Sequence, residues 1–225
     1  MKEKNSFVVY PYPKDEHTEE ENTKEIVSKS IYDDLIIPSL AIKDEKSVIY
    51  IAFIIDSTYS MSKIYNILYR RLCEEIDELK KLEADVFIKI SLSGGESYLE
   101  YTEFENDAEK LKEKLLNFEF KGGSDSGYEE YLNVSLINAI NKMDKVNNAS
   151  IKGVILLTDS AAKENSIPDF DLDSAYIDFV NIYAGEPQTD NFISLKNKEI
   201  TKIQEFLSDS NKGLIHEMIK NKMQS

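Results

Sequence analysis

The run VIYIAFII, residues 48–55, constrains this chain more than any other stretch. Eight apolar residues follow one another, rich in β-branched and aromatic types, with no polar position to spare for a solvent face. Such a run reads as a strand buried on both faces, as in a parallel sheet covered by helices. KGVILLTDS (152–160) and YIDFVNIYAG (176–185) read as two more strands of this kind. After the first strand, Ile64, Leu68, Leu72, Ile76 and Leu79 recur at spacings of three and four, which predicts a helix. Further helices are expected over NDAEKLKEKLLNF (106–118), around Leu132, Leu136, Ile140 and Met143, and near 195–208 and 211–223. DVFIKISL (85–92) and SYLEYTEF (97–104) flank Gly94 and Gly95 and read as a hairpin. Strands alternating with helices predict an α/β fold: a mostly parallel central sheet, one antiparallel edge strand from the hairpin, and helices on both faces.

Residues 1–46 have a different composition. SFVVYPYP (6–13) is a short edge-strand candidate closed by prolines, KDEHTEEENTKE (14–25) is a charge run, and IYDDLIIPSLAI (31–42) is apolar enough to pack on something. The expectation is an N-terminal arm, 1–46, lying against a main domain, 47–225.

Charge narrows the function. The chain carries 42 acids against 27 bases, a net charge of −15. That field repels nucleic acid and anionic lipid, since phosphate binding needs clustered Lys and Arg. It favours a cation or a basic partner. Cys73 is the only cysteine, so no internal disulfide forms, which fits a reducing compartment. The N-terminus has no apolar core of signal-peptide length, and no later segment approaches about 18 consecutive apolar residues. A soluble, cytoplasmic protein is expected, with neither nucleic acid nor membrane as partner.

Two of the buried strands end in an acid: YIAFIID stops at Asp56 and GVILLTD at Asp159. In a parallel sheet the carboxyl ends of the strands share one edge, and ligands bind in the crevice there. Three hydroxyls follow Asp56, at Ser57, Thr58 and Ser60. Alternation along the loop would turn Asp56, Thr58 and Ser60 into the crevice together. A third loop, GGSDSG (122–127), lets backbone approach closely and offers Asp125. Asp56, Thr58, Ser60, Asp125 and Asp159 make a set of oxygen ligands with no His or Cys. Such a set suits a hard divalent cation, Mg²⁺ first, with Mn²⁺ or Ca²⁺ next.

The D-x-T-x-S pattern at Asp56–Ser60, the Gly-Gly loop before Asp125 and the T-D at Thr158–Asp159 resemble a von Willebrand factor type A (vWA) domain over residues 47 to about 210. The five residues match that family's metal-ion-dependent adhesion site. The resemblance implies a Rossmann-like sheet with a metal at its top edge, ligated directly by Thr58 and Ser60, and directly or through water by Asp56 and Asp159. It implies a partner protein that supplies an oxygen ligand, often a carboxylate. It also implies work within a bacterial multi-protein assembly of the stress-response or defence kind.

Three positions depart from the family pattern. Asp125 stands where many members have Thr, which adds negative charge and should tighten metal while discouraging an acidic ligand. Tyr59 replaces a usual glycine, and it either covers the metal, joins the binding face or packs in its loop. Ser160 replaces another glycine. His17 and His216 neighbour no candidate nucleophile and read as surface residues. Glu129 and Glu130 suit the first turn of a helix. The favoured expectation is a non-catalytic, metal-dependent protein-binding module. The alternatives are an Mg²⁺-dependent enzyme of phosphate chemistry and a metal-free scaffold. A dehalogenase-like phosphatase would need Asp at position 58, and neither a phosphate-binding G-x-x-x-x-G-K-[ST] loop nor a G-x-S-x-G elbow is present.

Overall fold

The run at 48–55 forms the core of β1 (Ser47–Asp56), which lies inside the sheet with a parallel neighbour on each side. In this computed structural model the described residues are 46–94, 97–120, 130–160, 175–185, 192, 195 and 197–224. The expected N-terminal arm, Lys46 apart, lies outside them.

Alternate residues of β1 enter different apolar layers. Ile49, Ile51, Phe53 and Ile55 join one layer; Ala52 and Ile54 join the other. This is why the run has no polar position: both faces are covered. The first layer is closed by α1 (Tyr65–Leu79), α2 (Ala108–Leu116), α4 (Ile203–Leu207) and α5 (Leu214–Met223). The second is closed by α3 (Glu130–Asp144), through Leu132, Leu136, Ile140 and Met143. Asp107 caps α2, its Oδ1 accepting the backbone N–H groups of Glu109 and Lys110 at 3.0 and 3.2 Å.

The strand order is β3-β2-β1-β4-β5-β6, with β2 Ala84–Gly94, β3 Ser97–Glu100, β4 Ile151–Leu157, β5 Phe179–Ala184 and β6 Lys198–Lys202. All pairings are parallel except β2 with β3, where the expected hairpin lies at the sheet edge. Gly153 on β4 leaves room for the Phe179 ring of β5, whose nearest atom would stand 1.9 Å from an added Cβ.

One element departs from the sequence reading. The helix expected near 195–208 is in fact β6 followed by the short α4. Lys198–Lys202 pairs in parallel with Val180–Ala184, and that ladder outweighs a weak local preference in a segment carrying Ile200 and Thr201. Only Ile203 and Phe206 keep the helical spacing, and both are fully buried. Among the described residues no helix is long and apolar enough to cross a membrane.

Candidate functional site

The chain leaves β1 to build β2 and β3 on one side, then returns to place β4 on the other. The carboxyl ends of β1 and β4 therefore flank the point where the strand order reverses, the place where open α/β sheets leave a crevice. Ile55 lies beside Leu157 in register, which sets Asp56 beside Thr158. The Thr158 hydroxyl donates to Asp56 Oδ2 at 2.6 Å. The other carboxylate oxygen, Oδ1, accepts the Thr58 backbone N–H at 2.9 Å. Asp56 is 2% exposed. Burial pushes its carboxyl above the usual carboxylate range; the bonds from Thr158 and Thr58 pull it back, and Asp159 nearby pushes it up again. An adjacent cation would favour the ionised form.

The loop after β1 alternates. The Ser57 side chain turns down into the fold, where its hydroxyl donates to the Ser93 carbonyl at 3.2 Å. The Thr58 and Ser60 hydroxyls lie 3.0 Å apart, and Ser60 Oγ donates to Asp159 Oδ1 at 2.8 Å. Tyr59, between them, is 66% exposed, and Met61 is fully buried. A 3-10 turn, Tyr59–Lys63, holds this shape, with the Ser62 hydroxyl donating to the Tyr59 carbonyl at 2.6 Å. The buried Met61 anchors the turn while its neighbours face outward.

Asp159 is held by the backbone around it. Thr158 N–H donates to the Tyr183 carbonyl at 2.9 Å, and Ser160 N–H donates to Thr158 Oγ1 at 3.0 Å. A Cβ at Gly185 would sit 2.0 Å from the Asp159 carbonyl oxygen. Only glycine allows β5 to end this close to the loop.

Asp56, Thr58, Ser60 and Asp159 thus converge, joined by hydrogen bonds, at the carboxyl ends of β1 and β4. Asp125 lies outside the described residues, as does its glycine loop. The donor chemistry fits a hard divalent cation: two carboxylates and two hydroxyls, all oxygen, on two short loops. Among the described residues no cluster of three or more His, Cys, Asp or Glu is placed to hold a metal. Sequence reasoning did not find Thr158 as the partner of Asp56, nor Gly185 beneath Asp159. Thr158 was visible only as part of the T-D pair, and Gly185 only as the residue that follows an apolar strand.

No protein-family model matches the chain, and no curated protein matches it in sequence. Solved structures do match in shape. The SpRpn10 VWA domain aligns at 12% identity over 71% of this chain and 92% of its own length, with a TM-score of 0.51. The pilus adhesin SpaC from Lactobacillus rhamnosus GG aligns at 14% identity over 54% of this chain, with a TM-score of 0.43, and the match spans only 16% of the adhesin. An aerotolerance-related membrane protein from Bacteroides fragilis aligns at 12% identity over 74% of this chain and 88% of its own, with a TM-score of 0.46. The chain has the fold of a von Willebrand factor type A domain.

Proposed function

We propose that this protein is a non-catalytic binding module that captures a partner protein through a divalent cation, Mg²⁺ in the first place. The observation that carries the reading is the hydrogen-bonded run Thr58–Ser60–Asp159 set beside the buried Asp56 at the sheet's switch point. In this reading Thr58 and Ser60 give neutral oxygens, Asp56 and Asp159 give charge, and Asp125 joins from the third loop. The cation supplies a Lewis-acidic position for an oxygen of the partner. The protein's own residues fix the ligand directions: Thr158 orients Asp56, Gly185 admits the Asp159 backbone, and Met61 anchors the hydroxyl turn. Net charge of −15 supports a cation-mediated contact over direct capture of an acidic surface. A cytoplasmic multi-protein assembly of the stress-response or defence kind is the proposed setting, on the strength of the vWA-like motif.

Calorimetric titration of Mg²⁺ and Mn²⁺ into the metal-free chain tests the reading, beside Asp56→Ala. Saturable binding by the parent and none by the variant is the expected result. A parent that takes up neither ion would overturn it. Partner capture should then be lost on chelation and in Asp56→Ala alike.

A further inference from the structure

Beneath the first loop lies a set of buried hydroxyls that neither the apolar layers nor the ligand set accounts for. Val86, Ile88, Ile90 and Leu92 of β2 belong to the first apolar layer, and the alternate positions Lys89, Ser91 and Ser93 face the other way, all buried. Ser57 is 2% exposed, and Ser93 and Ser135 are fully buried. Burying a hydroxyl is costly unless it is paired. These are paired, and the bonds meet at Ser93. Ser135 Oγ, on α3, donates to Ser93 Oγ at 2.8 Å. The Ser93 carbonyl accepts both the Ser57 backbone N–H at 2.6 Å and the Ser57 hydroxyl at 3.2 Å. Ser57 sits between Asp56 and Thr58. The next residue of β2, Gly94, has φ +149°, and a Cβ there would lie 2.6 Å from Ser57 Oγ and 3.2 Å from Thr58 N. The end of β2 is thus fitted closely against the loop and tied to α3 behind it.

We infer that Ser93 and Ser135 are positioning residues for the cation site: their hydroxyl pair fixes the end of β2 against α3, and through the Ser93 carbonyl and Ser57 it fixes the Asp56–Ser60 loop in its ligating shape. Neither residue touches the cation. The inference rests on the metal-binding reading above, but its core claim concerns the loop and is measurable without metal. Alanine at either position breaks the pair with a small loss of volume. Loss of an outer hydrogen bond to a ligand shell typically weakens metal binding by about tenfold or more, and one bond further out should cost less, about three- to tenfold.

Two measurements on the full chain test this. Hydrogen exchange of the metal-free protein should be faster at residues 57–61 in Ser135→Ala and in Ser93→Ala, with β4 and β5 protected as in the parent. Mn²⁺ titration should give about three- to tenfold weaker binding for each variant. The double variant should lose no more than either single one, because both break the same bond. Ser135→Cys keeps a weak donor and should fall between parent and alanine. Unchanged loop exchange in both alanine variants would overturn the inference, as would unchanged Mn²⁺ affinity in a parent that binds. A parent that binds no Mn²⁺, with loop exchange still altered, would overturn the metal reading and leave the positioning of the loop standing.

Discussion

Thr158 donates to Asp56 and receives the Ser160 amide, so one fully buried hydroxyl serves two loops at once. Thr158→Val keeps the shape and removes the donor. Mg²⁺ affinity is expected to fall about 10- to 100-fold in calorimetry, with Thr158→Ser close to the parent. A second residue reports on the core. Burial pushes the Tyr183 phenol from 10.0 up to about 12. In the unfolded chain it ionises near 10, so between these values the folded state holds the proton more tightly. The sign follows: this stability is fully present below pH 10 and is lost as pH rises towards 12. The window corresponds to roughly 3 kcal/mol. Urea unfolding across it should show a falling free energy, with a shallower fall in Tyr183→Phe.

At the scale of elements, α5 has a cap that comes from another helix. Glu75 of α1 is fully buried and accepts the N–H groups of Gly213, Leu214 and Ile215 at 2.9, 3.1 and 3.2 Å. Those are orphan donors of the helix start, satisfied here across 138 to 140 residues of sequence. The buried Arg71 stands beside it, with Nη2 3.5 Å from Glu75, Nε 3.0 Å from the Phe206 carbonyl and Nη1 2.8 Å from Glu74. The network binds α1, α4 and α5 into one block on the sheet. Glu75→Ala leaves three donors and a guanidinium short of a partner, and should cost about 3–5 kcal/mol in denaturant unfolding. Glu75→Gln keeps an acceptor oxygen and should cost less. Nothing local in the sequence marks Glu75 as the cap of a distant helix. The β6 strand escaped for the same reason: its partner β5 supplies what its own residues do not.

For the whole molecule, the charge of −15 concentrates cations near the surface, and salt screens that field. Mg²⁺ binding is therefore expected to weaken by about two- to fivefold between low salt and physiological salt, measured as the calorimetric dissociation constant against NaCl concentration. A salt-independent affinity would confine the attraction to the ligands themselves.

The sequence by itself determined the strand type of 48–55, the helices α1 to α3, the mostly parallel sheet and the acids, Asp56 at the end of β1 and Asp159 two residues past the end of β4. These are local properties: a run with no polar position, a spacing of three and four, a carboxylate where apolar residues stop. The tertiary structure alone decided that β1 and β4 lie side by side, and so brought Asp56 to Thr158 across 102 residues and Ser60 to Asp159 across 99. It also decided which small residues matter, since Gly185, Ser93 and Ser135 are distinguished only by what packs against them. Periodicity records which face of an element is buried. It does not record against what, and both the site and its supports depend on that.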